Sequence, residues 1–542
     1  METYRRVIIW VTMAEAQLTE LDSVSHRSVS VRQVLTVSLV TASIAYIVLF
    51  LVAAALRASY PLQLEWLECG ALDTVGRVLH GQPIYVRPTH FFVPFLYTPF
   101  YYFVGAVACR VAGFDFSALR WLSTLCTVAC FALQFAMASR LANSRLAGIV
   151  AAGYFAALYA TTGWWFDLAR VDMLYVALIL GGIYLSWTRR PIFAALVFAL
   201  AFQTKQTAIL IAICVLAHEY RHPRRLLHGL LAFFAFAGAS TLAFIHLYGP
   251  WFLYYTRYIP SHHPLELRGV PYFFGRDLLY PSLIAIAIVA MCGRLATQRA
   301  RNDRTLQRTE AEKNHEFPSA DYRFILATIL GLSVSCFLGR IHTGASVNIA
   351  LPLDAWLAIL FGASVVIMLR WTSETNSPVS QRRGLLILGA ALLQFVALAR
   401  SPMRYIPSPA AKAEAAGELA QIARTPGNLY SLVNAADLAV VGKQSYANTA
   451  AVFDVLRAGQ DETSKQLQQD MQQSFARHDY AAVLSNAPLD APGSTAMDAP
   501  ADLARYYRAG GPPLVARPAS PDAFTADRTH PFPRYLSPAK SQ

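Results

Sequence analysis

PFLYTPFYYFVGAVACRVAG, residues 94–113, decides how the whole chain is threaded. It is apolar enough, and at about 20 residues long enough, to cross a bilayer as a helix. It also carries Pro94 and Pro99 and opens on a run of aromatic residues, as interfacial segments do. Laid in the membrane surface, it leaves eleven apolar spans, at about 34–56, 118–139, 146–163, 172–188, 191–203, 207–219, 226–247, 279–293, 323–339, 349–369 and 384–399. With the N-terminus inside, Arg140 and Arg145, Arg189 and Arg190, and Arg221, Arg224 and Arg225 then face the cytoplasm. So do the basic loop 294–323 and Arg370, Arg382 and Arg383. Counted as a crossing, it would turn most of these clusters outward, against the positive-inside tendency.

Composition agrees with a polytopic helical membrane protein. Of 542 residues 55% are hydrophobic and 15% charged, with mean hydropathy +0.37, against about 25% charged in a soluble domain. The net charge of +13 sits in short clusters between apolar runs, which is a loop pattern and argues against a nucleic-acid partner. Seven cysteines fall mostly inside apolar segments without metal-ligand spacing, so neither disulfides nor a structural metal is expected. The apolar piece from Val7 to Ala14 is short and followed by polar residues to Arg32, unlike a cleavable signal.

Arginines flank both ends of residues 191–218, so both ends are expected to be cytoplasmic and the segment to be a hairpin. Arms of about 13 residues reach only about 20 Å, short of a hydrocarbon core about 30 Å thick. The turn Gln203-Thr204-Lys205-Gln206-Thr207 is therefore expected below the outer surface, where a lysine needs a polar cavity or an anion.

The outer side then collects the loop 57–117, the turn 163–172, the Lys205 turn, the loop 248–278, residues 340–348 and everything after Arg400. Residues 1–32 read as a cytoplasmic segment and 33–400 as the transmembrane domain. Residues 401–486 read as a small extracytoplasmic α/β domain, with strands at 429–433, 438–441 and 481–484 and a helix over 463–477, and 487–542 as a Pro-rich tail. In the first outer loop, Glu65 and Glu68 stand three residues apart, on one face if helical, beside Trp66 and Leu67.

The order of these pieces resembles the GT-C glycosyltransferases, and among them the bacterial PMT/aminoarabinose-transferase-like membrane proteins. The resemblance is carried by Leu79-His80-Gly81-Gln82-Pro83-Ile84-Tyr85 and by Tyr97-Thr98-Pro99-Phe100-Tyr101-Tyr102. Ala169-Arg170-Val171-Asp172 is similar to the family's Ala-Arg-Pro-Asp phrase, and the turns at Lys205-Gln206-Thr207 and 339–344 also look similar. It covers about residues 33–400. It implies a polyprenyl-phosphate sugar donor, a glycan or lipid acceptor on the outer face of a bacterial cytoplasmic membrane, and inverting displacement at C1 with a carboxylate base from the first outer loop. The family shows Asp-Glu there, whereas this chain has Leu67-Glu68; either Glu68 takes the role or Glu65 reaches in.

Such chemistry needs a base for the acceptor hydroxyl and cations for the departing phosphate. Glu68 or Glu65 can be the base, Asp172 a second catalytic carboxylate or only a helix cap, and Lys205 with Arg170 or Arg340 the cations. Asp167, free to pair with Arg170, and His342 complete the candidate substrate-binding set. No cofactor is expected, although a divalent metal is compatible with the fold class. His262 and His263 lack a carboxylate at ligand spacing and read as loop residues. Trp164 and Trp165 read as aromatic belt, and Asp73 as a surface partner of Arg77. The competing functions are a transporter or flippase for a lipid-linked or polar solute, which would place charges at mid-bilayer in paired half-repeats, and a non-catalytic assembly component built on the C-terminal segment.

Overall fold

The computed structural model describes residues 30–305, 319–374, 377–401, 405–431, 435–458, 461–485, 507–513 and 534–538. The segment before Ser30, the middle of the basic loop and most of the stretch after 485 lie outside them.

The first helix, α1 (Val31–Ala58), opens on a capping box: Ser30 Oγ accepts from the Gln33 amide, and the Gln33 side chain accepts from the Ser30 amide. The acidic loop forms α2 (Glu68–Leu79). Residues 94–113 yield α3 (Phe100–Ala112), whose 13 residues rise only about 20 Å. Then follow α4 (Phe116–Ala142), α5 (Arg145–Leu158), α6 (Asp172–Trp187), α7 (Pro191–Phe202), α8 (Ala208–Ala217) and α9 (Pro223–Tyr248). A helical run over 250–262 leads to α10 (Tyr280–Thr305), α11 (Ser319–Arg340), α12 (Leu351–Ser373) and α13 (Pro378–Ala397). Each apolar run read from the sequence falls on one of these helices, the run 146–163 only as far as Leu158. Six helical stretches are long and apolar enough to cross a membrane: Val31–Ala58, Phe116–Ala142, Pro223–Tyr248, Gly269–Asn302, Tyr322–Arg340 and Val347–Ser373. The protein is a multi-pass membrane protein.

α12 forms the axis of the bundle. It is buried from Leu351 to Leu369, as expected of a helix that is apolar on every side. Its closest neighbour is α5, whose Ala and Gly residues let the backbones approach. A Cβ on Gly362 would stand 2.3 Å from the Ala147 carbonyl oxygen. Gly362→Ala is therefore expected to lower the melting temperature in detergent, an overpacking cost of about 1–3 kcal/mol. Gly389→Ala, with nothing within 4 Å of the new methyl, is expected to leave it unchanged.

The hairpin read from the flanking arginines is present. A Cβ on Gly229 of α9 would stand 3.4 Å from Pro191, which opens α7, and 3.2 Å from Leu216, near the end of α8, so both arms end at one level. The turn is fixed at the other: Gln203 Nε2 donates to Ser240 Oγ and Thr241 Oγ1. Those residues precede the end of α9 at Tyr248 by roughly two turns, about 11 Å. The lysine turn thus lies below that end of α9.

After residue 405 come α14 (Pro409–Arg424), β1 (Leu429–Ser431), α15 (Ala435–Val440), α16 (Thr449–Ala458), α17 (Glu462–Ala476), β2 (Ala482–Ser485), β3 (Tyr507–Pro513) and β4 (Arg534–Pro538). The sheet order is β1-β2-β4-β3, parallel between β1 and β2 and antiparallel elsewhere. The strand expected at 438–441 is instead mostly helix α15. A short apolar run has no period that separates a strand from a buried helical turn. This segment is tied to the first loop: the Ala447 amide donates to the His90 carbonyl, His90 Nδ1 meets Asp470 Oδ2 at 2.7 Å, and Ser445 Oγ donates to Asp73 Oδ1 at 2.6 Å.

Candidate active site

Glu68 opens α2, where a carboxylate is favoured by the helix dipole, and it is fully buried. Arg120 of α4 grips it with two donors, Nε to Oε1 at 3.0 Å and Nη2 to Oε2 at 2.7 Å. The amides of Leu64 and Ala169 donate to the same carboxylate. Arg120 also donates to the carbonyls of Tyr60 and Leu62. Burial pushes this carboxyl up, but Arg120 and the two amides more than reverse that and hold it below the usual carboxylate range. Glu68 therefore fastens three pieces together: the loop 60–68, α4 and the turn before α6.

That turn has an irregular backbone, with Gly163 and Trp164 both at positive φ (78° and 64°). α4 holds it in place: Ser123 Oγ donates to the Leu168 carbonyl and Thr127 Oγ1 to that of Phe166. It presents Arg170, which donates from Nη1 to Glu65 Oε2 at 2.8 Å and from Nη2 to Tyr97 Oη at 3.2 Å. Arg170 Nε lies 3.3 Å from Asp172 Oδ2, and its guanidinium lies 4.3 Å from the centre of the Trp165 ring. Asp172, the first residue of α6, accepts at Oδ1 from Lys205 Nζ at 2.7 Å and from Asn348 Nδ2 at 2.8 Å. A continuous line of charges results: Glu65, Arg170, Asp172, Lys205. All four are buried, and each charge has an opposite neighbour, as burial demands.

Lys205 lies at the end of that line, with Nζ 5.6 Å from the ring centres of both Tyr97 and Tyr175. Its turn is anchored on four sides. Gln206 Nε2 donates to the Leu96 and Thr256 carbonyls, Thr207 meets Tyr175 Oη, and Ser335 Oγ donates to the Thr207 carbonyl. Here the chain encloses a cavity of about 360 Å³. Trp66, Leu67 and Phe95–Tyr97 line it from the first loop, Lys205–Thr207 from the hairpin, and His342–Ala345 from the turn after α11. Ala450, Phe453, Asp454 and Arg457 of α16 line the remaining side.

Glu65, Arg170, Asp172 and Lys205 thus stand together beside one cavity, and Glu68 holds the Ala169 amide next to Arg170. The other candidate residues are placed as follows. Asp167 does not pair with Arg170; it accepts from Arg57 Nε at 2.7 Å and from Tyr159 Oη at 2.8 Å, because Arg57 reaches it from the end of α1. Arg340 is taken by Asp277 at 2.6 Å and by the Ala345 carbonyl, so it shapes the turn that carries His342. His342 lines the cavity, with Nε2 2.9 Å from the Pro260 carbonyl. Trp164 and Trp165 are buried instead of forming a belt, one against Tyr159 and Tyr405 and the other beneath Arg170. Asp73 is half-buried and bonded to Ser445, and burial pushes its carboxyl up to about 6, while Arg77 lies over Phe92. His263 is buried and lines the cavity. Among the described residues, no three His, Cys, Asp or Glu side chains are grouped to hold a metal ion.

Arg120 and Arg57 are the residues the sequence reading passed over. Arg120 stands inside an apolar span, where an arginine announces a buried partner. Asp454 carries no such signal, since nothing in the local sequence brings α16 to the cavity.

The fold is that of the GT-C membrane glycosyltransferases, the class that the sequence resemblance implied. Residues 95–312 match the model of Glycosyltransferase family 87. ArnT from Cupriavidus metallidurans bound to undecaprenyl phosphate superposes with a TM-score of 0.55 at 12% identity, over 92% of this chain and 98% of that one. The same protein in its apo state gives 0.52 at 14%, with the same coverage. The Archaeoglobus fulgidus oligosaccharyltransferase in complex with Zn and sulfate gives 0.50 at 11%, over 86% of this chain and 71% of that one. No curated protein matches the chain.

Proposed function

We propose that this chain is a glycosyltransferase of the bacterial cytoplasmic membrane, with eleven spans and its C-terminal segment outside. It moves a sugar from a polyprenyl phosphate to a glycan or lipid acceptor, with inversion at C1. The observation that carries this reading is the recessed Lys205 ammonium lining a 360 Å³ cavity in a GT-C fold. A cation held below the membrane surface is stabilised by an anion at that depth, and a lipid phosphate enters from the side at that depth. The family 87 match and the fold shared with an ArnT that binds undecaprenyl phosphate support the same donor class.

The buried line of charges supports the following division of roles. Lys205 receives the donor phosphate and neutralises it as the C1–O bond breaks. Asp172 and Asn348 aim the ammonium, and Arg170 ties Asp172 to Glu65 and Tyr97 at the cavity wall. Glu65 keeps Arg170 in position, and Glu68 holds the loop and turn that carry both. His342 and Gln206 line the same cavity and are available to the sugar.

Purified protein in vesicles, offered undecaprenyl-phosphate hexoses and pentoses one at a time with extracted envelope glycans and lipids, is expected to consume at least one donor and release undecaprenyl phosphate. Solute flux across the vesicle wall with every donor left intact would instead support the transporter reading.

A further inference from the structure

Among the described residues lining the cavity there is one carboxylate, and it is neither Glu65 nor Glu68. It is Asp454. Residues 450, 453, 454 and 457 fall on one face of α16, at the spacing that puts side chains in a row along a helix. That row lines the same cavity as the lysine turn. Each of the four acidic candidates from the sequence already holds a cation: Glu65 with Arg170, Glu68 with Arg120, Asp167 with Arg57, and Asp172 with Lys205. A carboxylate engaged in that way is a poor proton acceptor, because taking a proton would strand its partner's charge.

We propose that Asp454 is the general base of the transfer reaction, so that the segment after the membrane bundle completes the active site. This rests on the glycosyltransferase reading. In the step, the Asp454 carboxylate takes the proton of the acceptor hydroxyl as that oxygen bonds to C1 of the donor. The C1–O bond to phosphate breaks with its electron pair, and the lipid phosphate leaves against Lys205. Protonated Asp454 then returns its proton to water entering the cavity.

Burial pushes the Asp454 carboxyl up to about 7, with Arg457 one turn along drawing it partly back. Besides Asp454 and Arg457, the titratable groups lining the cavity are Tyr97, Lys205, His342 and His263, and burial lowers the His263 imidazole from its usual range. A base is most effective when it titrates near the working pH. Glu65 and Glu68 serve instead as positioning residues, and the acidic loop that dominates the sequence frames the donor side.

The test compares wild type, Asp454→Asn and Asp454→Glu in the same vesicles, measuring donor consumption against pH and the binding of undecaprenyl phosphate. Wild-type turnover is expected to fall as pH drops below about 7, since only the deprotonated form acts. Asp454→Asn is expected to lose roughly 10²–10⁴-fold in turnover, to lose that acidic limb, and to bind undecaprenyl phosphate as wild type does. Asp454→Glu is expected to recover part of the rate. Turnover of Asp454→Asn within threefold of wild type overturns the assignment, as does joint loss of turnover and lipid-phosphate binding without recovery in Asp454→Glu. A wild type that consumes no donor removes the glycosyltransferase reading and this one with it. An active wild type beside an equally active Asp454→Asn removes this one alone.

Discussion

Lys205→Ala is expected to lose at least 10²-fold in sugar transfer, the usual scale for removing one preorganised group that stabilises developing charge. It is also expected to lose undecaprenyl phosphate binding. The substitution does something else as well: it leaves Asp172 buried with only Arg170 and Asn348 beside it. Breaking one side of a buried ion pair costs about 3–5 kcal/mol, so a fall in stability alone would prove little. The double variant Lys205→Ala/Asp172→Asn separates the two effects. With both charges gone, the fold is expected to recover most of its thermal stability while transfer and lipid binding stay absent. If the double variant regains transfer, the ammonium has only a structural role.

The second large effect is expected at Glu68, and it is an effect on folding. Glu68→Gln leaves the Arg120 guanidinium fully buried against a neutral amide and weakens a junction of two amides, two carbonyls and two charges. The expected cost is again about 3–5 kcal/mol, a large share of the roughly 5–15 kcal/mol that keeps a native protein folded, so folded yield should fall sharply. Glu65→Gln, which loses one contact from Arg170, is expected to fold in better yield. Size-exclusion yield and thermal melts of the two variants side by side decide the matter. A Glu68→Gln protein that stays as stable as wild type yet is catalytically dead would return the base to the first loop.

The helices were legible in the sequence because lipid enforces a simple rule: apolar runs of sufficient length, with arginines gathered in the short stretches between them. The hairpin at 191–218 was legible for the same reason, and so was the recessed Lys205. Ala169-Arg170-Val171-Asp172 could be placed near the first loop by resemblance. What could not be read was the pairing. Arg120 and Arg57 lie 52 and 110 residues from Glu68 and Asp167, and no local pattern says which cation a buried carboxylate will meet. Asp167 was matched with its sequence neighbour Arg170 when its partner stood at the far end of the first helix. Asp454 lay further out of sight. Its role depends on the C-terminal segment folding back over the first loop through His90, Asp470, Ser445 and Asp73, contacts between residues more than 370 positions apart.

The most direct measurement is a structure of the purified protein in a lipid nanodisc with undecaprenyl phosphate added. The expected result is phosphate density inside the 360 Å³ cavity, within hydrogen-bond reach of Lys205 Nζ, with the lipid chain leaving toward the membrane and α16 closing the opposite side. Phosphate density on another face of the protein, with the cavity empty and Lys205 still bound only to Asp172, would contradict it.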